Sequence, residues 1–180
     1  MAKLLVLYGT TEGQTRKIAA FAADKLTGAK HEVRLIDAAD APGTLTPEPF
    51  DGVIVAASLH IHKYQSAVQH WVSEHAAELN TRPCAFVSVS LAAAATDEDE
   101  RSEALDCAEA FFEKTGWRPK AVHNAAGALR YTKYDFLKTW IMKRIAKSQG
   151  GSTDTGHDTE YTDWTALELF VTDFAAAIDD

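Results

Sequence analysis

The residues best suited to chemistry stand near the start of the chain, in "YGTTEGQT", Tyr8 to Thr15. The stretch holds two glycines and three threonines but no lysine or arginine. It follows the apolar run "AKLLVL" and leads into an Ala-rich helical pattern. Hydroxyls and glycines gathered at a strand-to-helix turn suit an anion held by backbone N–H groups and side-chain hydroxyls. The missing cation narrows the choice. A Walker A loop requires G-x-x-x-x-G-K-S/T, whereas here Gly13 is followed by Gln14 and Thr15. A G-x-G-x-x-G dinucleotide fingerprint is absent too. What remains is T-x-E-G-Q-T, read either as a cation-free anion site or as a plain Thr/Gly turn that caps a helix.

Other reactive side chains offer less. His60 and His62 in "SLHIHKY" lack a third ligand nearby, so no metal is expected, and ring packing or solvent exposure is. His70 and His75 fall on a helical pattern and read as structural. Cys84 and Cys107 have neither the count nor the spacing of a disulfide framework or a zinc site, and are expected to be reduced, buried fillers. No G-x-S-x-G nucleophile elbow occurs. No residue is assigned as a general base.

Alternating strands and helices must position these groups. "KLLVLY" (3–8) is a continuous apolar run, as in a parallel strand covered on both faces. Ile18, Phe21, Ala22 and Leu26 recur at helical spacing from about 14 to 27. "HEVRLIDAAD" alternates, which suggests an edge strand, and Pro42, Gly43, Pro47 and Pro49 break up the loop behind it. "DGVIVAAS" (51–58) is a third strand. A helix near 65–79 buries Val68, Trp71, Val72 and Leu79. "CAFVSVSL" (84–91) is a fourth strand. Thr96 then caps a helix whose first turn, "DEDE", complements the dipole. "KAVHNAAGALRY" (120–131) is a fifth strand, and Trp164, Leu167, Val171, Phe174 and Ile178 stripe a last helix that starts after Thr162 or Asp163.

Such alternation implies an α/β fold, a parallel sheet with helices on both faces. A flavodoxin-like order 2-1-3-4-5 is the leading candidate. Ligands of such sheets bind outside the carboxyl ends of the strands, at the switch between strands 1 and 3. The opening motif, "SLHIHKY" (58–64) and "SVSLAAAAT" (88–96) all fall at that edge.

Length and composition bound the rest. The 180 residues fit one domain, 1–180, and shares of 46% hydrophobic and 24% charged residues fit a soluble globular protein. No run approaches the roughly 18 apolar residues of a membrane span. "MAKLLVLYGT" is too brief for a signal peptide, so cytoplasmic residence is expected. No nucleic-acid partner is expected at a net charge of −8.

One segment runs against that charge. An insertion at about 132–158 separates the fifth strand from the last helix. Arg130 to Lys147 carries six basic residues and one acid, leaving 12 basic against 25 acidic residues in the rest of the chain. On a helical wheel Tyr134, Phe136, Leu137, Trp140, Ile141 and Ile145 cover about half the circumference, with Arg144 inside that face. A basic helix of this kind, at about 133–148, suits an anionic membrane surface or an anionic apolar ligand. The alternative is a helix packed on the domain with its lysines in solvent.

The loop T-x-E-G-Q-T resembles the phosphate loop of flavodoxins, where hydroxyls and backbone N–H groups hold the FMN phosphate without a cation. Thr10, Gly13, Gln14 and Thr15 match that pattern residue by residue, and Thr11 and Glu12 complete the loop. Glu12 departs from the usual threonine. A carboxylate aimed at the phosphate would repel it, so Glu12 is expected to turn its side chain outward and offer its N–H. Ser58, Leu59 and His60, and Ser88, Val89, Ser90 and Leu91, match the flavin-flanking loops by position only.

Over nearly the whole chain the likeness is closer still. "GALRYTKYDFLKTWIMKRIAKSQGGSTDT" and "EYTDW", with "YGTTEGQTRKIA" and "WRP" at 117–119, resemble the flavodoxin-like, quinone-dependent protoporphyrinogen oxidases of bacteria. An acid at position 12 suits this branch. The resemblance implies FMN, peripheral contact with the inner face of the cell membrane, and a place in haem biosynthesis. It implies oxidation of protoporphyrinogen IX to protoporphyrin IX, with electrons passed to menaquinone or ubiquinone. Six electrons leave and FMN takes two at a time, so three flavin cycles are implied. Arg130, Lys133, Lys138 and Lys143 then become propionate partners, Arg130 foremost because its fork binds a carboxylate bidentately. A flavodoxin-type electron carrier and an NAD(P)H:quinone reductase would share loop and fold. The carrier is expected to dock through an acidic rim, and the reductase to need a nicotinamide site.

Overall fold

A computed structural model of the chain describes residues 1–95, 97–129 and 159–179. Five strands pair in parallel: β1 (Lys3–Gly9), β2 (Glu32–Asp37), β3 (Gly52–Ser58), β4 (Cys84–Ser90) and β5 (Ala121–Ala126). Their order is 2-1-3-4-5, as the alternation predicted. β1, β3 and β4 lie inside the sheet and are buried almost throughout, which is why their sequences are apolar without a break. β2 is an edge strand with no buried residue, in keeping with its mixed sequence.

Alternate side chains of each strand feed two cores. Leu4, Val6 and Tyr8 of β1 pack under α1 (Gln14–Gly28) and α4 (Trp164–Asp179), against Ile18, Ala22, Leu26, Leu167, Val171 and Phe174. Leu5 and Leu7 face the opposite way, under α2 (Ser66–Leu79) and α3 (Glu98–Thr115), against Val68, Trp71, Val72, Leu79, Phe111 and Phe112. Trp117, from "WRP", is wholly buried there and donates its indole N–H to Cys84 Sγ at 3.2 Å.

Three boundaries differ from those read in the sequence, the first being β2, which stops at Asp37 before a 3-10 turn at Ala38–Asp40. The cap of α3 is Asp97, whose carboxylate accepts from the Asp99 N–H at 3.0 Å; Thr96, expected there, lies outside the described residues. Asp97 is one residue nearer the helix, and its charge also favours the N-terminal dipole. The run 120–131 is not one strand. β5 stops at Ala126, and Gly127 turns the chain by giving its N–H to the Ser90 carbonyl at 3.0 Å. β6 (Ala128–Leu129) then pairs antiparallel with β7 (Thr159–Glu160), Leu129 opposite Thr159. The insertion expected at about 132–158 lies outside the described residues.

Candidate functional site

The carboxyl ends of β1, β3 and β4 open on a cleft of about 380 Å3, within the range of cofactor sites. Its floor is the β1–α1 turn. Thr10 Oγ1 accepts from the Gly13 N–H at 2.8 Å and closes the turn. Gly13 sits at φ 91°, a left-handed backbone that glycine adopts at little cost. No side chain caps α1, so its first N–H groups are left to the cleft. Thr15 is 1% exposed with no partner for Oγ1, and Gln14 is 6% exposed with none for Oε1. Buried, unpaired polar atoms are rare because each costs about 1–3 kcal/mol, so two side by side point to a ligand that supplies the partners.

The second wall follows β3. Ser58, Leu59 and His60 line the cleft, and a tight reversal follows them, with His60 N–H to Lys63 O at 2.8 Å and Lys63 N–H to His60 O at 3.1 Å. Its two central residues, Ile61 and His62, stand at φ 47° and 60°. Such a primed turn usually carries Asn-Gly, and a β-branched residue there is strained. Ile61 is 71% exposed at the tip. Gln65, at the start of α2, ties the walls together by donating to Thr11 Oγ1 at 3.0 Å and to Ser58 Oγ, while accepting from the Ser58 N–H.

Val89, Ser90 and Leu91 form the third wall, and Ser90 Oγ accepts from the Ala93 N–H at 3.1 Å. Ser88 does not belong to it. It is 1% exposed in the core, and its hydroxyl is bonded to Tyr64 Oη at 2.8 Å. Burial pushes the Tyr64 phenol up to about 12, with the Ser88 bond opposing. Ser88 and Ser90 share a face of β4, but only Ser90 reaches the strand end where the helices no longer cover it.

The fourth wall was not legible in the sequence. Glu100, Glu103, Ala104 and Cys107 of α3 line the cleft at helical spacing. Their mixed polarity hides that face from a search for apolar stripes. Cys107 is therefore not a buried filler, unlike Cys84: it is half-buried at the cleft, 3.9 Å from His62 Nδ1. Burial, then the carboxylates of Glu103 and Asp106, push its thiol up. His62 Nδ1 also lies 3.3 Å from Glu103 Oε1. Among the described residues no group of three His, Cys, Asp or Glu is placed to hold a metal. His70 pairs with Glu74 in solvent and His75 packs on Trp71.

The chain returning from β7 closes over the floor. Gln14 donates Nε2–H to Thr162 Oγ1 at 2.9 Å, and Thr162 donates its hydroxyl to the Ala126 carbonyl at 2.7 Å. Lys17 and the Trp164 indole donate to the two oxygens of Glu160 at 3.1 and 2.8 Å. Burial alone would raise the Glu160 carboxyl, but these hydrogen bonds, the Lys17 charge and a further hydrogen bond from the Gln14 side chain outweigh it and hold it below the usual range.

Of the residues singled out in the sequence, the structure brings Thr10, Thr11, Glu12, Gln14 and Thr15 together with Ser58, Leu59, His60, Val89, Ser90 and Leu91 around one cleft. Glu12 is half-buried on its wall. Arg130, Lys133, Lys138 and Lys143 lie outside the described residues. No lysine or arginine lines the cleft among the described residues.

The match to known proteins agrees with this architecture. Residues 5–156 match the flavodoxin domain family. The protoporphyrinogen IX dehydrogenase (quinone) of Escherichia coli strain K12 is 36% identical over 179 residues, covering 98% of this chain and 97% of that one. A protein of the same name from Leishmania major is 33% identical over 175 residues, covering 97% and 75%. The crystal structure of oxidised flavodoxin 1 from Bacillus cereus shares the fold, with a TM-score of 0.58, 15% identity and 97% of both chains covered. A flavin cofactor is implied by the domain. This chain thus belongs to the flavodoxin-domain oxidoreductase family of the quinone-dependent protoporphyrinogen IX dehydrogenases.

Proposed function

We propose that the cleft holds FMN and that the protein oxidises protoporphyrinogen IX to protoporphyrin IX, delivering the electrons to a membrane quinone. Family membership supports the reaction, and the carrying observation for the cofactor is the unpaired, buried Thr15 hydroxyl at the uncapped start of α1. The residues present fit a phosphate. Thr15 has a hydroxyl to donate, α1 offers N–H groups and its positive dipole end, and the left-handed Gly13 lets the backbone approach closely. Thr10, Thr11, Glu12, Gly13, Gln14 and Thr15 would hold the phosphate end, and Ser58, Leu59, His60, Val89, Ser90 and Leu91 would flank the ring.

When bound, a flavin would supply two-electron redox chemistry, taking electron pairs from the porphyrinogen and passing them on to the quinone. The protein's part is position and charge. Gln65 keeps the first two walls at a fixed spacing through Thr11 and Ser58. Glu100 and Glu103 repel propionates from the α3 wall, so a flat dicarboxylate is turned toward the opposite rim. Arg130, Lys133, Lys138 and Lys143 are proposed as the propionate partners, and 133–148 as the contact with an anionic membrane surface. The protein then sits in the cytoplasm against the membrane. No helix of the described residues is long and apolar enough to cross one.

The test is an anaerobic assay of the purified, FMN-loaded protein with protoporphyrinogen IX and menaquinone or ubiquinone. Porphyrin should form without oxygen, and NADPH should reduce the flavin poorly. Rapid NADPH turnover without porphyrin would replace this reading by a quinone reductase, and FMN exchange of electrons without porphyrin by an electron carrier.

A further inference from the structure

The motif "EYTDW" lies 145 residues and more beyond the phosphate loop, yet its threonine touches the loop's buried glutamine. Thr162 is the middle of a relay of fixed polarity. The Ala126 carbonyl can only accept, so the single hydroxyl proton of Thr162 is committed to it at 2.7 Å. The Thr162 oxygen can then only accept from Gln14, at 2.9 Å, which requires the NH2 end of that amide to face it. The amide's other end is thereby forced the opposite way. Gln14 Oε1 is left buried and unpaired at the cleft.

From this geometry we infer that Thr162 is a positioning residue for the cofactor site: through the relay from Ala126 it locks the Gln14 amide with its carbonyl oxygen presented to the ligand. The inference rests on the FMN reading of the cleft. A carboxamide can turn end for end at little cost unless a neighbour decides between its donor and acceptor ends. A ligand hydroxyl beside the phosphate can donate to that oxygen and keep its lone pairs for the N–H groups of the loop, whereas a turned amide would compete with those N–H groups for them. Thr162, with the Glu160 carboxylate as a further acceptor for the same amide, makes that choice before the ligand arrives, so no binding free energy goes into turning the amide. Ala126 and Thr162 belong to the end of β5 and the entry to α4, both anchored in the core, so the relay is held by rigid elements.

A double-mutant cycle with FMN titrated into the apoprotein tests it. Thr162→Val keeps the shape and removes the relay, so the dissociation constant should rise about tenfold, the worth of one net hydrogen bond. Thr162→Ser keeps the hydroxyl and should bind like the parent. In a Gln14→Ala background Thr162→Val should have no further effect, because nothing is left to orient. A tenfold loss in both backgrounds, or no loss in either, overturns the inference, since Thr162 would then act on packing alone or not at all. If thermal unfolding shows that Thr162→Val does not fold, Thr162→Ala replaces it in the same cycle. Failure of the parent itself to bind FMN would instead sink the cofactor reading.

Discussion

Thr15 buries a hydroxyl without a partner where α1 begins, so its removal probes the proposed phosphate end of the cleft alone. Thr15→Val is isosteric and should weaken FMN by about 1.5–3 kcal/mol, the worth of one charge-assisted hydrogen bond. Fluorescence titration of the apoprotein measures it, and equal affinity in both proteins would refute the assigned loop. Cys107 reports on the opposite wall. Its thiol is held above the usual value by burial and the Glu103 and Asp106 carboxylates. The thiolate is the nucleophile, so alkylation by iodoacetamide should be slow at neutral pH and accelerate only above the ordinary thiol range. Bound FMN should protect Cys107 further, and Cys84, buried at 1% exposure, should not react in the folded protein. Mass spectrometry with and without FMN separates the two; no protection would mean that the ligand does not reach α3. Ser88 and Ser90 are not distinguishable by residue type, nor are Cys84 and Cys107. Depth along the strand and the packing of α3 decide which of them meets the cleft.

At the level of elements, two glycine-related positions have opposite signs. Gly9 ends β1 where α2 crosses it, and a Cβ there would lie 2.5 Å from Val68 Cγ2. Val68 is fully buried and cannot yield, so Gly9→Ala should cost about 1–3 kcal/mol. His62 is the reverse case, a side chain held at φ 60° in a primed turn. His62→Gly should relieve strain and add about 1 kcal/mol, since the exposed pair with Glu103 contributes little. Urea unfolding of the apoprotein reads both, and a stabilised Gly9→Ala would contradict the close packing of α2 on β1. The βα alternation, the stripe of α4 and the buried run of β1 were legible because burial repeats with the period of each element. The break at Gly127 was not. A small-residue run reads as strand until a distant segment, here β7, offers its own backbone for pairing.

On the scale of the whole molecule, Leu129 and Thr159 are opposite one another in β6 and β7, so the chain leaves and returns at neighbouring points. Antiparallel partners lie about 5 Å apart, a span that a short turn closes. Replacing 133–158 with a brief Gly/Ser linker should therefore leave folding and FMN binding largely intact, while quinone-linked porphyrinogen oxidation collapses. The replaced part carries five of the six basic residues of the segment, and each would contribute about 1 kcal/mol at the proposed contact with anionic lipid. Lys138→Glu with Lys143→Glu is the milder form, and its liposome binding should fall and lose salt sensitivity. An FMN-loaded deletion that still turns over porphyrinogen with quinone at the parent rate would remove the segment from the proposed function.

The strand order, the helical faces and the cation-free turn at the end of β1 were determined by the sequence itself. Each is written in local terms: continuous apolar runs where both faces are covered, a 3.6-residue stripe where one is, and Gly13 where the backbone is left-handed. Only the tertiary structure decided the α3 wall, the Gln65 tie between loops, the burial of Ser88 and the relay from Thr162 to Gln14. These depend on partners up to 148 residues away along the chain, and hydrogen-bond polarity between distant side chains leaves no periodic trace in the sequence.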